Sequence, residues 1–145
     1  MNETAAPSLA DFLAQVEFFS AFTADELQQI ERRAEVRHLD MGESIADAGA
    51  PADHVFVVRK GSVRLFTQDG GKDTSVGLRK AGEVIGEIAA LREHRHTTSL
   101  RTSRKTELLA IPVDVFPPLL AANRAAHEHL TSLVVRHSAG DFLIN

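Results

Sequence analysis

The spacing of apolar residues changes once in the first part of the chain, from a helical period to a strand period. Between Leu9 and Phe19, apolar residues recur every three or four positions, which predicts an amphipathic helix. Thr23 is followed three residues later by Glu26, a capping-box pattern that predicts the start of a second helix. We therefore expect the chain to begin with two short helices.

Short strand-like segments then alternate with turns that contain glycine. Residues 55–58 form a continuous apolar run, and apolar and polar residues alternate over 62–67, as in a half-buried strand. The Asp-Gly-Gly sequence at 69–71 indicates a hairpin turn. Many short strands separated by such turns favour an antiparallel barrel or sandwich. The predicted strands are 36–39, 44–46, 55–58, 62–67, 74–78, 98–102 and 107–111.

Helical patterns return after the last predicted strand. A helix over 114–120 is expected to be short and irregular, because Pro117 and Pro118 fall inside it. Residues 125–138 predict a final helix, and Gly140 is in a suitable place to end it. The pattern as a whole indicates a small all-β core between flanking helices.

Length and composition indicate one folded domain. A chain of 145 residues can bury a core, and 43% hydrophobic residues with charges of both signs are typical of globular proteins. We expect a flexible N-terminus at 1–7, the domain at 8–140 and a tail at 141–145.

Charge and residue usage exclude several classes of function. The net charge of −4 argues against a general nucleic-acid binder. The absence of cysteine excludes thiol catalysis, disulfides and thiolate metal sites. No apolar run approaches the roughly 18–20 residues of a membrane span, and the N-terminus lacks the pattern of a signal peptide. We expect a cytoplasmic protein.

One stretch has the residue types of an anion site. Gly86 allows the backbone to approach a ligand closely, and the residues after it can begin a helix whose first amides are free. Such amides bind phosphate well. The hydroxyl-bearing residues 97–99 follow a short charged loop. The stretch therefore predicts a phosphate pocket.

Three blocks of residues also carry a family resemblance. They are Phe18-Phe19-Ser20 with Phe22 and Leu27; Gly42-Glu43, Ile45, Gly49, Asp53, Phe56-Val57-Val58, Gly61 and Val63-Arg64-Leu65; and Gly82-Glu83 with Gly86-Glu87-Ile88-Ala89-Ala90-Leu91. In this order and spacing they resemble the cyclic nucleotide-binding domains of catabolite-activator-type regulators, cyclic-nucleotide-dependent kinases and nucleotide-gated channels. The resemblance covers nearly all of residues 8–138. It implies an eight-stranded antiparallel β-roll, jelly-roll-like, with N-terminal and C-terminal helices.

The third block resembles the phosphate-binding cassette of that family. The resemblance implies that the backbone at Gly86, Ile88 and Ala89 holds the phosphate of cAMP or cGMP, and that Glu87 accepts the ribose 2′-hydroxyl. A carboxylate beside a phosphate must indeed face a hydrogen-bond donor, because the two negative charges repel each other. The simpler alternative is that Glu87 only complements the positive end of a helix. No further cofactor is implied.

The loop after the cassette departs from the family pattern. A gap-free alignment places His96 where the family has its phosphate-binding arginine, and Arg95 where a proline or a second arginine is common. Thr97 falls where cGMP-preferring members often have threonine, and Thr98 completes the predicted ligand-binding set. Histidine is mostly neutral at pH 7 and lacks the arginine fork that holds two oxygens.

Three hypotheses about this loop remain open. The site uses His96 or Arg95 and still binds a cyclic nucleotide; or it is degenerate and the domain is a ligand-independent docking module; or Arg92, Arg95 and Arg101 form a solvated basic face. The first implies a regulatory sensor that signals through its C-terminal helix to a fused or partner effector domain, or to a second copy of the chain.

Other constellations are weaker. The pairs His94-x-His96 and His127-x-His129 suggest metal ligands, but no third ligand follows at a recognised spacing. Nothing in the chain has the frame of a nucleophile elbow. We therefore expect no metal site, no catalytic residues and no enzymatic activity.

Overall fold

Eight strands run through the described part of the chain. The computed structural model describes residues 8–87 and 89–144. The strands are β1 (Glu35–Leu39), β2 (Ser44–Ala46), β3 (His54–Lys60), β4 (Ser62–Asp69), β5 (Lys72–Lys80), β6 (Val84–Ile85), β7 (Ser99–Thr102) and β8 (Thr106–Pro112). They form two antiparallel four-stranded sheets, in the orders β1-β8-β3-β6 and β2-β7-β4-β5. The predicted eight-stranded antiparallel roll is confirmed.

Helices bracket this roll, as the sequence predicts. The first predicted helix is divided in two because Val16 is extended, with a φ of −91° and a ψ of 127°. The second helix begins with the expected capping box, in which Thr23 and Glu26 bond to each other's backbone amides. The helical segments are α1 (Leu9–Ala14), a 3₁₀ turn (Glu17–Phe19), α2 (Ala24–Arg33), a 3₁₀ turn (Val113–Val115), α3 (Phe116–Ala122) and α4 (Arg124–Ile144).

Two helix boundaries differ from the prediction. Pro117 and Pro118 lie in the first turn of α3, where a missing N–H costs nothing, so the helix is regular and continues to Ala122. Gly140 does not end α4, which continues to Ile144, because a glycine within a helix costs only about 1 kcal/mol. Within the described residues, no helix has the length and hydropathy that crossing a membrane requires.

The apolar residues of β3 pack alternately into two hydrophobic clusters. Val55 and Val57 pack with the helices in the larger cluster, which also contains the contacting aromatic rings of Phe18, Phe19, Phe22 and Phe116. Successive side chains of a strand point to opposite faces. Phe56 and Val58 therefore face the interior of the roll, in a smaller cluster. The rest of that smaller cluster is Val63, Ile85, Leu100, Leu108 and Ala110.

Candidate functional site

A cavity of about 290 Å³ opens inside the roll, beside the smaller core cluster. Residues from β4, β5, β6 and β7 form part of its surface. The segment between β6 and β7, which contains the predicted cassette and the loop after it, forms the rest. The described lining residues are Leu65, Thr67, Val76, Gly77, Arg79, Ile85, Gly86, Glu87, Ala89, His96, Thr97, Thr98 and Leu100.

Six of the eight predicted site residues line this one cavity. They come from both sides of the charged loop, so the fold brings together two segments that the sequence separates by several residues. Arg95 is not part of the lining. Ile88 lies outside the described residues. The six are Gly86, Glu87, Ala89, His96, Thr97 and Thr98.

Gly86 has a backbone conformation that favours glycine, and it lies close to His96 and Phe56. Its φ is +79°, in the region that residues with a Cβ rarely adopt. A Cβ at this position would lie 3.4 Å from Cε1 of His96 and 3.7 Å from Cδ2 of Phe56. The Gly86 carbonyl accepts a hydrogen bond from the Ala90 amide at 2.8 Å. Beyond it the chain forms a π-helical turn over Ala89–Glu93 rather than a regular helix.

Glu87 is a buried carboxylate in the cavity lining. Only 4% of its surface is exposed, although it is an ionisable side chain. Burying a carboxylate is unfavourable unless hydrogen-bond donors surround it. Thr97, which is exposed, and Thr98, which is half-buried, line the same cavity and add hydroxyl groups. Together these residues present several polar groups to a ligand.

His96 is buried at the end of the cavity, against an aromatic ring. Its side chain is 5% exposed, and its ring stacks on Phe56 with centroids 6.5 Å apart. Burial lowers the pKa of His96, and the negative charge of Asp53 offsets this only in part. His96 is therefore neutral at pH 7, and it gives the cavity a hydrogen-bonding group without a lasting positive charge.

Arg95 points away from the cavity. Its Nη1 donates to the Gly49 carbonyl at 2.9 Å, and the residue is exposed. The backbone of this loop is paired with the neighbouring loop: the Gly49 amide donates to the His96 carbonyl at 2.7 Å, and the His96 amide donates to the Ala50 carbonyl at 2.9 Å. Adjacent residues in an extended segment face opposite sides, so His96 faces inward and Arg95 outward.

One charged residue of the lining, Arg79, is not among the residues predicted from the sequence. Arg79 lies near the end of β5 and is half-buried. The signal that would have found it is the strand alternation, which places Arg79 on the same face as Gly77 and Val63. Arg79 precedes the cassette and lies outside the family blocks, so the resemblance did not point to it.

The histidine pairs do not form metal sites in the described structure. His94 is exposed and His96 is buried, so the two do not face one space. His129 instead holds α4 to the N-terminal helices: its Nε2 lies 2.8 Å from the Glu17 carbonyl and 3.2 Å from Oγ of Ser20. Over the described residues, no three histidine or carboxylate side chains come together as metal ligands would.

The sequence matches a known family over most of the roll. The model of the cyclic nucleotide-binding domain matches residues 36–123, which include all eight strands except the start of β1 and both sides of the cavity. The chain belongs to the cyclic nucleotide-binding domain family, as the resemblance implied.

Curated relatives carry this domain within longer chains. The chain is 33% identical over 93 residues to the lysophospholipase NTE1 of Pyricularia oryzae, covering 63% of this chain and 6% of that one. It is 26% identical over 110 residues to the cAMP-dependent protein kinase regulatory subunit of the same organism, covering 76% of this chain and 28% of that one. The chain thus spans a minor part of the length of these relatives, which include both a regulatory subunit and an enzyme.

Solved structures of the same fold include regulators from several organisms. The sensor domain of the transcriptional regulator DNR from Pseudomonas aeruginosa superposes with a TM-score of 0.81 at 14% identity, covering 87% of this chain and 85% of that one. The catabolite activator protein of Thermus thermophilus gives 0.75 at 26% identity, covering 88% and 60%. The regulatory domain of Toxoplasma gondii PKA with cAMP gives 0.77 at 16% identity, covering 88% and 48%.

Proposed function

We propose that this chain is a regulatory sensor domain that binds a purine cyclic nucleotide, cAMP or cGMP, in the cavity of its roll. The observation that carries the proposal is the placement of Glu87, a carboxylate 4% exposed, next to Gly86 within a preformed cavity. A cyclic nucleotide offers this site a hydroxyl donor for the carboxylate and a phosphate for the nearby backbone amides.

The size and polarity of the cavity support this ligand class. Ligand pockets commonly measure about 300–1,000 Å³, and the 290 Å³ here is close to the lower limit, as suits a small, compact ligand. Leu65, Leu100 and Ile85 supply an apolar surface for a purine base. The solved relative from Toxoplasma gondii holds cAMP, which makes cAMP the first ligand to test.

We further propose that α4 transmits binding to a fused or separate effector. No α4 residue belongs to the described lining of the cavity, and α4 instead packs on the helical cluster through Leu130 and Leu133. Val135 on this helix remains 58% exposed and leaves apolar surface for a second position of the helix. A ligand that favours that second position shifts the population toward it.

Calorimetric titration of cAMP and cGMP into the protein tests the binding. We expect saturable heat with one of the two nucleotides at micromolar to sub-millimolar concentration, and a rise in melting temperature, because a ligand that binds only the folded state stabilises it. No heat and no thermal shift at millimolar nucleotide would overturn the proposal.

Distance measurements between paired spin labels test the movement of α4. The chain has no cysteine, so Gln68→Cys on β4 with Arg136→Cys on α4 places labels at two exposed positions without background. We expect the distance to change on adding saturating nucleotide. A control pair within the roll, Gln68→Cys with Asp40→Cys, should keep its distance. An unchanged α4 distance under saturation would refute the signalling role and leave the binding role standing.

A ligand-independent docking module with the same fold is the second candidate. The specific observation in its favour is that Arg95, the arginine nearest to the family's phosphate position, is bonded to Gly49 on the outside of the cavity. If neither nucleotide binds while the protein remains folded, this candidate replaces the first.

A further inference from the structure

Arg79 faces the interior of the roll. In the antiparallel pair of β4 and β5 it lies directly opposite Val63, whose side chain is fully buried. Directly opposed residues of an antiparallel pair project to the same face of the sheet. The half-buried Arg79 therefore projects to the interior side, and it lines the same cavity as Glu87 and His96.

A glycine two residues earlier makes room for the guanidinium group. Gly77 lies on the same face of β5, opposite Leu65. A Cβ on Gly77 would lie in van der Waals contact with Nη1 of Arg79, at 3.4 Å, so the guanidinium lies over the face of the strand from which a side chain at position 77 would project. The sequence Gly-x-Arg on this strand thus leaves space inside the roll for a long cationic side chain.

The guanidinium has spare hydrogen-bonding capacity. Its recorded bond is a long one, 3.4 Å from Nη1 to the Leu78 carbonyl. Within the described part of the chain, no carboxylate lies within salt-bridge distance of Arg79. Two arginines on other strands do have such partners: Arg59 on β3 pairs with Glu107 at 2.8 Å, and Arg101 on β7 pairs with Asp73 at 3.7 Å. A guanidinium has five N–H donors, and this one faces inward with a single long bond to a carbonyl. It is therefore suited to bind an anion.

The cavity has no comparable source of positive charge in its described lining. Arg95 is bonded on the outside, and burial keeps His96 neutral at pH 7. Arg79 is the one lysine or arginine among the described lining residues. A nearby cation stabilises a phosphate that enters beside the carboxylate of Glu87, because it offsets the repulsion between the two negative groups.

We propose that Arg79 is the residue that pairs with the phosphate of the bound nucleotide, in place of an arginine in the loop after the cassette. The proposal rests on the proposed function and adds to it a specific source of charge. A planar guanidinium donates two parallel hydrogen bonds to phosphate oxygens, which neutral His96 does not. The positive charge of the site therefore comes from β5, and the cassette supplies backbone amides and the ribose acceptor.

Titration of Arg79→Met against a matched control tests this assignment. The control is Arg64→Met on the adjacent strand, where the arginine is exposed and its Nη1 donates to Oγ of Ser75 at 3.3 Å. We expect Arg79→Met to weaken cAMP or cGMP binding about ten- to a hundred-fold, because it removes a charge-assisted bond. Arg64→Met should stay within about two-fold of the unchanged protein. Arg79→Lys, which keeps the charge but not the fork, should lie in between.

Adenosine or guanosine, added as a competitor without phosphate, identifies the contacted group. We expect Arg79→Met to leave the affinity for the nucleoside unchanged. If Arg79→Met loses affinity equally for the nucleoside and for the cyclic nucleotide, Arg79 does not contact the phosphate. The proposal is also overturned if Arg79→Met is folded and binds the cyclic nucleotide with unchanged affinity. If nucleotide affinity falls in Arg95→Met and not in Arg79→Met, Arg95 rather than Arg79 supplies the positive charge, and the proposed function stands. If the unchanged protein binds neither nucleotide, the proposed function fails first and this proposal with it.

Discussion

The two sides of the cavity are built in different ways. The cassette side, with Gly86, Glu87 and Ala89, depends on a backbone conformation that glycine alone adopts readily. The loop side, with His96, Thr97 and Thr98, depends on hydrogen bonds to the neighbouring loop at Gly49 and Ala50. Residue type thus determines the first side, and contacts with a distant segment determine the second.

This difference explains where the charges lie. The cassette side contributes a carboxylate, and the loop side contributes a neutral histidine while its arginine, Arg95, is bonded outside. A strand from a third part of the chain contributes the inward cation, Arg79. If the proposed function is correct, this site has a carboxylate where the family has one and takes its positive charge from a different strand.

The largest effect should come from a side chain at the most constrained point of the cassette side. Gly86→Ala should abolish measurable nucleotide binding and lower the free energy of unfolding by about 1–2 kcal/mol, because it forces a Cβ into a left-handed conformation beside His96. Gly42→Ala is the matched control, since Gly42 has a φ of +84° and open space around it. It should lose similar stability and keep binding, as calorimetry and urea unfolding would measure. Equal binding in both variants would show that Gly86 does not shape the site.

Replacing the buried carboxylate should have the next largest effect. Glu87→Gln should weaken nucleotide binding about ten- to a hundred-fold, because a charged acceptor for the ribose hydroxyl becomes a neutral one. 2′-Deoxy-cAMP should bind the unchanged protein with a similar loss of affinity. Because both changes remove the same contact, Glu87→Gln should bind 2′-deoxy-cAMP about as well as it binds cAMP. Glu93→Gln, at an exposed acid whose nearest recorded partner is Arg92 at 3.6 Å, serves as the control. Additive losses would mean that Glu87 contacts another part of the ligand.

The loop side should show a pH dependence of stability. Because burial lowers the pKa of His96, the unfolded chain binds a proton that folded His96 does not, as pH falls from about 6.5 toward the lowered value. The contribution of His96 to stability is thus complete above about pH 6.5 and is lost as pH falls through the folded pKa. We compare the free energy of unfolding in urea at pH 7.5, 6.0 and 5.0. It should fall less with pH in His96→Gln, which lacks the buried histidine, than in the control His127→Gln, which changes an exposed one. If the free energy of unfolding falls equally with pH in the two variants, His96 is not the source of the pH dependence.

The smallest effect should come from the outward arginine of the loop. Arg95→Met should change nucleotide affinity by less than about two-fold and lower the free energy of unfolding by roughly 1 kcal/mol or less, through loss of the bond to the Gly49 carbonyl. Calorimetry and unfolding of this variant measure both quantities. A loss of affinity above ten-fold would show that the loop rearranges on binding and brings Arg95 into the cavity.

Local patterns predicted most of the fold, and the errors arise from contacts between segments that are far apart in the chain. The capping box at Thr23 and Glu26 is confirmed because its signal lies within one helical turn. The two-residue strand β6 was missed, since Val84 and Ile85 are too few to show a period and are held by pairing with β3. The single predicted first helix is two segments, because Phe18 and Phe19 must reach the aromatic cluster around Phe116.

The family resemblance implied the eight-stranded roll, and the sequence by itself determined seven of its strands and the cassette side of the cavity. These features depend on residue types that act locally: glycines at turns, apolar residues at strand spacing and a carboxylate after Gly86. Only the tertiary structure decided that Arg95 lies outside, that His96 is buried and neutral, and that Arg79 enters from β5. The direction of a long side chain depends on strand register and on neighbours far along the chain, and both arise only when the two sheets close into a roll.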